Sequence, residues 1–267
     1  MTLSFIGLGL GDEKDITLKG LECVRKAERV YLEYYTSQLC TSIQALESFF
    51  EKKIILATRT MVEADDNEIL THAKTQSVAF LVIGDVFSAT THSDLFLRAK
   101  QAHIHTEIIH NASILTAIGQ TGLQLYKFGK TTSLVFFESD WKPTNAYETL
   151  LQNTKQGLHT LCLLDIKVAE PSKTDLASGK TVAQKPRFMT IKQALEQLLE
   201  IESLQKKDLI TLQTKVVGVA RLGSTDSIIK YGTIAELLET SFGEPLHSLI
   251  FLGDLHFHEE EVLTLYS

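Results

Sequence analysis

The chain has 267 residues, of which 44% are hydrophobic and 22% are charged; this is a globular composition and excludes a disordered or collagen-like chain. Its 26 Lys and Arg residues against 33 Asp and Glu residues give a formal net charge of −7. An acidic protein lacks the basic surface that general nucleic-acid binding requires. We therefore expect small molecules and individual proteins as partners, and no nucleic acid.

Neither a membrane span nor a secretory leader is indicated by the sequence. No apolar run approaches the roughly 18 residues of a membrane helix, and no cationic segment precedes the first apolar run. The cysteines, Cys23, Cys40 and Cys162, are odd in number and widely spaced, which favours free thiols over a disulfide framework. We therefore expect a cytoplasmic protein without a membrane partner.

The first 110 residues alternate between strand and helix patterns. The apolar run at 3–8 predicts a buried parallel strand. Further strands are predicted at 29–33, 53–57, 78–84 and 105–109, with helices at 18–27, 63–74 and 93–102. This alternation is typical of a doubly wound, mostly parallel sheet.

Beyond residue 111 the pattern changes. A helix predicted at 114–126 is followed by strands at 132–137, 159–166, 209–220 and 248–253 and by helices at 146–151, 190–201 and 233–238. This arrangement indicates a mixed sheet with antiparallel pairs. We predict an α/β protein of two domains, residues 1–111 with a mostly parallel sheet and residues 112–267 with a mixed one. A polar, lysine-containing loop at 170–187 is either a solvated insertion or a partner-binding loop.

A glycine-rich loop after the first strand is the first candidate ligand site. Gly7, Gly9 and Gly11 follow the strand, but acidic residues separate them from the next helix, which we expect to begin after Thr17 as its N-cap. A dinucleotide-binding loop opens directly into a helix at the pyrophosphate, so this spacing argues against such a site. A cationic or zwitterionic ligand suits the loop better.

A second candidate loop, GDVFSATTHSD at 84–94, follows another predicted strand, at the end where open α/β sheets bind ligands. Its Asp85 either bonds to a ligand or only caps the next helix, for which Thr91 and Ser93 are the candidate N-caps. Ser113, in the HNASI segment, is either an ordinary N-cap or part of a helix terminus that binds a carboxylate.

Metal and hydrolase chemistry have little support. The pairs His103/His105 and His256/His258 supply two ligands each, which do not make a metal site, so we predict no metal. The sequence contains no GxSxG elbow and no GxxxxGK[ST] loop. No residue pattern indicates a catalytic group, so none is assigned. An NAD(P)-dependent oxidoreductase built on the glycine turn and a non-catalytic binding module both remain as alternatives.

Short motifs occur in order along nearly the whole chain: GLGLGDEKDIT, GDVFSATTHSDL, HNASI, YKFGKTTSLVFF, DWKPT, LHTLCLLDIKV, RFMT, VGVARLGS and GEPLHSLIFLGDLHF. Together they resemble the diphthine synthase family, which has the tetrapyrrole-methylase fold. The resemblance implies two α/β domains with S-adenosylmethionine in the cleft between them, and a homodimer. It also implies methylation of a 3-amino-3-carboxypropyl group on a histidine of translation elongation factor 2, in diphthamide biosynthesis.

The insertion at 170–187 resembles the eukaryotic type of the family, which adds a fourth methyl group to give a methyl ester. Trimethylation alone, as in the archaeal type, and methylation of a tetrapyrrole precursor are the alternatives. Carried over by position, the family's cofactor contacts fall on Leu10, Asp85, Ser88, Ser113, Ile114, Leu164, Leu222 and His247.

The chain departs from the family in the second loop. The family reads GDPFGATTH, whereas this chain has Val86 and Ser88, and a serine is strained if position 88 needs a positive φ. A quaternary ammonium product favours aromatic faces. Phe87 is the main candidate for such a face, and core packing is the expected role of the other aromatic residues considered, Tyr34, Tyr35 and Trp141.

Overall fold

The computed structural model describes residues 1–37, 39–64, 67–168 and 186–267. The chain divides into two compact units. Unit 1 comprises Met1–Ala117 and Gly223–Thr225, and unit 2 comprises Ile118–Leu222 and Asp226–Ser267. Most of the insertion predicted at 170–187 lies outside the described residues.

Unit 1 is built on a parallel sheet. Its strands are β1 (Thr2–Gly7), β2 (Arg29–Glu33), β3 (Ile55–Ala57), β4 (Ser77–Val82) and β5 (His105–Ile109). They lie in the order β3-β2-β4-β1-β5, and every neighbouring pair is parallel, as predicted. Strand β1 is flanked by β4 and β5, so the carboxyl ends of these three strands lie side by side at one edge of the sheet.

The helices of unit 1 are α1 (Leu18–Lys26), α2 (Ile43–Phe50), α3 (Arg59–Glu63), α4 (Glu68–Ala73), α5 (Ser93–Gln101) and α6 (Ile114–Ala117). Because side chains alternate along a strand, β1 contributes to two cores. Leu3 and Phe5 share one with α3, α4 and α5, and Ile6 shares the other with α1 and α2. Thr17 caps α1 as predicted, its hydroxyl oxygen accepting a hydrogen bond from the Gly20 N–H.

Unit 2 is built on a mixed sheet, which confirms that part of the predicted fold class. Its strands are β6 (Thr132–Leu134), β7 (Thr160–Leu164), β8 (Ile166–Lys167), β9 (Arg187–Phe188), β10 (Lys215–Ala220), β11 (Ile228–Thr233) and β12 (His247–Phe251). The main sheet has the order β11-β10-β12-β7-β6, in which β6 and β7 are parallel and the other pairs antiparallel. Strands β8 and β9 form a short antiparallel ribbon.

The α-helices of unit 2 are α7 (Asn145–Thr154), α8 (Ile191–Gln205), α9 (Ile234–Glu239) and α10 (Phe257–Leu263). Leu150, Leu198 and Leu237, one from each of α7, α8 and α9, are fully buried in a single apolar core with the sheet. That core is formed from residues of unit 2.

The helix predicted at 114–126 is wrong beyond Ala117. The chain continues as 3₁₀ turns at Ile118–Thr121 and Leu125–Lys127. Gly122, between them, has a φ of 86°, which a right-handed helix does not contain. Glycine reaches that conformation without strain, so the segment turns where an unbroken helical pattern predicts one helix.

Candidate functional site

Most of the predicted cofactor residues follow β1, β4 and β5: Leu10, Asp85, Ser88 and Ser113 lie in the loops after these strands, and Ile114 begins α6. The structure brings these loops together. Gly9 and Gly84 exchange backbone hydrogen bonds of 3.2 and 2.8 Å. The Leu10 side chain and the Ser113 backbone both lie against Gly84.

Close packing between these loops explains two of the glycines. A Cβ atom at Gly7 would lie 2.7 Å from the Gly84 carbonyl oxygen and 2.9 Å from the Asn111 Cβ. Gly9 has a φ of 81°, and a Cβ atom there would lie 2.6 Å from the Asp15 Cβ. Glycine is therefore required at both positions by contacts within unit 1.

The Asp85 carboxylate is the centre of the loop after β4. Its Oδ1 accepts hydrogen bonds from the Phe87 N–H (3.1 Å) and the Ser88 hydroxyl (3.3 Å), and its Oδ2 from the Asn111 N–H (3.1 Å) and His110 Nδ1 (2.8 Å). Burial alone would raise the pKa of Asp85, but the bonds from His110, Phe87 and Asn111 hold it below its ordinary value. A carboxylate has about four acceptor positions, and all of those of Asp85 are occupied by donors from unit 1. Asp85 therefore fixes the conformation of the loops at this edge of the sheet.

Asn111 and Asp15 complete the connections between the loops, and sequence reasoning missed both. Asn111 Nδ2 donates to the carbonyl oxygens of Gly7 (3.0 Å) and Asp15 (2.9 Å). The Asp15 Oδ2 in turn accepts from the N–H groups of Leu10 (3.2 Å) and Gly11 (2.7 Å). Asn111 stands in the HNASI motif, but no local pattern reveals a partner that lies 104 residues away.

The predicted N-cap of α5 is wrong. Neither Thr91 nor Ser93 occupies that position; His92 does, without a side-chain hydrogen bond to the helix. The Thr91 hydroxyl donates instead to the carboxylate of Glu63, at the end of α3. A hydroxyl that finds a charged acceptor gains more than from a backbone N–H, and such an acceptor is not visible in the local sequence.

The replacement of glycine by Ser88 causes no backbone strain. The positive φ angles of this loop are at Gly84 (81°) and at Ala89 (60°), one residue after Ser88. Ser88 instead uses its hydroxyl to bond to Asp85, and Val86 is fully buried. Both departures from the family pattern are therefore compatible with the loop geometry.

Ser113 has a buried hydroxyl without a protein partner. The residue is 3% exposed, and its Oγ forms no hydrogen bond with a described residue. An N-cap side chain accepts a hydrogen bond from the first turn of the helix, so the Ser113 hydroxyl does not serve as an N-cap. The Ser113 backbone N–H donates to the Thr116 hydroxyl oxygen at 3.2 Å. An unsatisfied buried hydroxyl is unfavourable by about 1–3 kcal/mol, which a hydrogen bond from a ligand would relieve.

The remaining predicted residues belong to unit 2. Leu164 ends β7, Leu222 follows β10 and His247 begins β12, and all three are buried. His247 Nδ1 accepts from the Ile191 N–H (3.4 Å), and its Nε2 lies 3.0 Å from the Glu244 carbonyl, to which it must donate. Burial lowers the pKa of His247. The imidazole is thus held neutral with both nitrogens engaged, as in a core histidine.

Arg221 fixes the turn that carries Leu222, and it too was missed by sequence reasoning. Its side chain is 7% exposed and pairs with Asp226 at 2.6 Å. The guanidinium also donates to the carbonyls of Phe242 (2.8 Å) and Glu244, in the segment that leads into β12. One buried cation therefore connects two loops of unit 2, which the motif VGVARLGS alone does not indicate.

Two of the aromatic candidates from the sequence, Phe87 and Tyr35, contact other side chains of unit 1. Phe87 packs against Phe5 and Phe96, with ring centroids 6.3 and 5.8 Å away. The Arg59 guanidinium lies 5.4 Å above the Tyr35 ring. Among the described residues no group of three or more His, Cys, Asp or Glu could hold a metal ion. No helix in the same part of the chain is long and apolar enough to cross a membrane.

The family model of the tetrapyrrole (corrin/porphyrin) methylases matches residues 2–238. The diphthine methyl ester synthase of Dictyostelium discoideum is 52% identical over 98% of this chain and 96% of its own length. The human protein of the same name is 49% identical over 99% and 95%. A crystal structure of a diphthine synthase, 37% identical, has a TM-score of 0.86 and covers 100% of this chain and 96% of its own. These matches confirm the resemblance: the chain belongs to the tetrapyrrole methylase family of methyltransferases and, within it, to the diphthine methyl ester synthases.

Proposed function

We propose that this chain transfers methyl groups from S-adenosylmethionine to the 3-amino-3-carboxypropyl group on a histidine of translation elongation factor 2, in diphthamide biosynthesis. The observation that carries the proposal is 52% identity over nearly the full length to a relative named diphthine methyl ester synthase. That name contains the ester, so we propose four transfers, three to nitrogen and one to the carboxylate. We propose a homodimer that acts on the factor in the cytoplasm.

The residues proposed to contact the cofactor suit a sulfonium nucleoside. In unit 1 the Ser113 hydroxyl supplies a hydrogen-bonding group that has no partner among the described residues, and Leu10 and Ile114 supply apolar surface. In unit 2 Leu164 and Leu222 supply further apolar surface. Apolar contacts with a few fixed polar groups are typical of sites for adenine-containing ligands. When bound, S-adenosylmethionine supplies an electrophilic methyl group, and the protein supplies orientation and electrostatics.

The acceptor determines which other chemistry is needed. A primary amine attacks only when neutral, so its ammonium form must first lose a proton. An apolar surrounding favours the neutral form, because burial lowers the pKa of an amine. The carboxylate that takes the last methyl group is already deprotonated. A sulfonium donor reacts directly with either acceptor, so the reaction needs no covalent enzyme nucleophile.

The cofactor is tested by calorimetric titration of the protein with S-adenosylmethionine. We expect Asp85→Ala to weaken binding at least about tenfold, because the loop after β4 loses the acceptor of its hydrogen bonds. The matched control is Asp94→Ala, an exposed carboxylate in α5 that pairs with Arg98, which should bind within about twofold of wild type. No binding by wild type would end the cofactor proposal, and equal binding by the Asp85 variant would remove Asp85 from the site.

The acceptor is tested by mass spectrometry of elongation factor 2 after incubation with the enzyme and S-adenosylmethionine. Factor that carries the unmethylated 3-amino-3-carboxypropyl group should gain four methyl groups, and factor with an unmodified histidine should gain none. A gain of three methyl groups would favour the alternative, trimethylation alone as in the archaeal type. Equal labelling of both forms would refute the proposed substrate. Turnover of a tetrapyrrole precursor in place of the factor would favour the activity for which the wider family is named.

A further inference from the structure

We propose that His110 is the catalytic base that takes a proton from the protonated acceptor nitrogen before each of the three nitrogen methylations. The proposal rests on the proposed function, because it concerns the same acceptor. It goes further by assigning the proton to one atom, the Nε2 of His110.

The geometry fixes the tautomer of His110. Its Nδ1 lies 2.8 Å from Asp85 Oδ2, and the Asp85 side chain is 11% exposed. The hydrogen bonds to Asp85 hold the pKa of that carboxyl below its ordinary value, so it is ionised and only accepts. The proton of a neutral His110 must therefore be on Nδ1, which leaves a lone pair on Nε2. A carboxylate that orients an imidazole through Nδ1 is the arrangement of a general base in hydrolases.

The free nitrogen of His110 is accessible. The side chain is 69% exposed, and no described residue forms a hydrogen bond with Nε2. His110 directly follows β5 and stands three positions before Ser113, at the edge that carries the proposed cofactor residues of unit 1. Asp85 is the titratable side chain that contacts the imidazole among the described residues.

Two other histidines of unit 1 do not meet these conditions. His92 is fully buried, so its ring cannot exchange a proton directly with solvent. His105 is exposed but lies at the opposite, amino end of β5, where its Nδ1 contacts the Thr2 hydroxyl at 3.3 Å. His110 alone of these three combines an oriented ring, an accessible nitrogen and the carboxyl edge of the sheet.

The chemistry requires a proton acceptor at the nitrogen steps and at no other. The lone pair of the amine forms the new bond to the methyl carbon, the carbon–sulfur bond breaks, and its electron pair stays on sulfur as a neutral thioether. The starting ammonium must lose a proton before the first attack, and the nitrogen is again a protonated cation after the first and after the second transfer. Each of these three protons passes to Nε2 of His110, which becomes an imidazolium, and then to solvent. After the third transfer the nitrogen is a quaternary ammonium and has no proton to lose. Attack by a carboxylate oxygen releases no proton.

The test compares His110→Asn with wild type on two acceptors in single turnovers. One acceptor is elongation factor 2 with the unmethylated group, which takes nitrogen methyls first, and the other is the trimethylated form, which takes only the ester methyl. The Asn Nδ2 group can still donate to Asp85 but has no basic nitrogen, so it preserves a purely structural role. The matched control is His105→Asn, at the other end of the same strand.

We expect His110→Asn to slow nitrogen methylation on the order of 10²-fold and to leave ester formation within about twofold of wild type. His105→Asn should leave both rates unchanged. Calorimetric binding of the demethylated cofactor should be the same in all three proteins. An unchanged nitrogen rate in His110→Asn, or an equal loss at both acceptors, would overturn the proposal. If wild type methylates neither acceptor, the proposed function fails, and the assignment of His110 fails with it.

An independent readout needs no turnover. Nitrogen-15 NMR of the histidine rings, recorded at a pH where they are neutral, should show His110 with a protonated Nδ1 and a bare Nε2. Asp85→Asn should change the populations of the two neutral tautomers of His110, because an amide does not select one tautomer as a carboxylate does. A bare Nδ1 in the wild-type protein would contradict the assigned geometry.

Discussion

Two side chains at the same sheet edge have opposite hydrogen-bonding states. The Asp85 carboxylate accepts four hydrogen bonds from its own loops, whereas the Ser113 hydroxyl has none from a described residue. The Asp85 carboxylate therefore stabilises the folded protein without a ligand. Burial of the Ser113 hydroxyl becomes favourable only when a further group, such as a ligand, forms a hydrogen bond with it.

Ser113→Ala should separate stability from binding. Removing an unsatisfied hydroxyl should leave the free energy of unfolding unchanged or raise it by up to about 1 kcal/mol, while loss of one ligand hydrogen bond weakens cofactor binding about 2- to 10-fold. Thr121→Val is the opposite case, because the buried Thr121 hydroxyl donates to the Ile118 carbonyl at 2.7 Å. It should destabilise the protein by about 1 kcal/mol. Urea unfolding and calorimetry measure the two effects; a stability loss in Ser113→Ala would contradict this account.

At the scale of single residues, the sequence identifies the loops of the candidate site well. It does not predict the role of each side chain in those loops. Asp85 was located by its place after a strand and Ser113 by its place before a helix. Their partners could not be predicted, because Asn111 and Asp15 act across loops that only the assembled sheet brings together. His247 was carried over as a contact residue, and its ring is held by Ile191 and Glu244 within unit 2.

At the scale of elements, capping boxes mark where α8 and α9 of unit 2 begin. Helix α8 begins after Thr190 in a capping box, in which the Thr190 hydroxyl accepts from the Gln193 N–H at 3.2 Å. The Gln193 side chain accepts from the Thr190 N–H at 3.0 Å. Thr233 and Glu236 repeat this arrangement at the start of α9. Such reciprocal bonds satisfy donors that a helix leaves free.

Thr190→Ala should lower the free energy of unfolding by about 1 kcal/mol, since the first turn of α8 loses its cap. Ser203→Ala, an exposed change in the same helix, should shift it by less than about 0.5 kcal/mol. Thr190→Ser should retain most of the wild-type value, because serine caps as well as threonine. Urea titrations measure all three. Equal stability of Thr190→Ala and wild type would show that the capping box contributes nothing.

Strands were predicted best in unit 1, where those at 29–33 and 105–109 have their predicted bounds. Strand β11, Ile228–Thr233, was missed, because it is a half-buried edge strand that carries Lys230 and so lacks the apolar run of a central strand. The strand predicted from 209 begins at Lys215, because Thr211 and Thr214 close a turn through their hydroxyl oxygens.

At the scale of the whole molecule, unit 1 has two apolar cores and unit 2 has one. Unit 2 also contains a buried charge network at its last α-helix. Glu259 is 1% exposed and accepts hydrogen bonds from the N–H groups of Gln124 and His256, from Lys127 and from His159. Burial alone would raise the pKa of Glu259, but these bonds lower it to about 2. The ionised carboxylate is thus strongly preferred in the folded state.

A pKa depressed from 4.5 to about 2 makes folding dependent on pH. The stabilisation, about 3 kcal/mol, is fully present above pH 5 and is lost as the pH falls from about 5 to about 2. Glu259→Gln should therefore lower the free energy of unfolding by about that amount at pH 7, and the difference from wild type should shrink towards pH 2. Glu261→Gln, exposed on the same helix, should have little effect. Denaturant titrations across this pH range measure how the difference in unfolding free energy between Glu259→Gln and wild type changes with pH. A difference that stays constant would contradict this account.

The side-chain amide of Asn111 is bonded at once to the end of β1 and to the loop beyond it, while its backbone N–H is bonded to Asp85 after β4. Each of these bonds joins the end of β5 to one of the other two strand ends, so the full set forms only when three strands distant in sequence have aligned. Fraying of one strand end would break the bonds that it shares with Asn111. A partly assembled sheet therefore holds these turns with fewer bonds than the complete one.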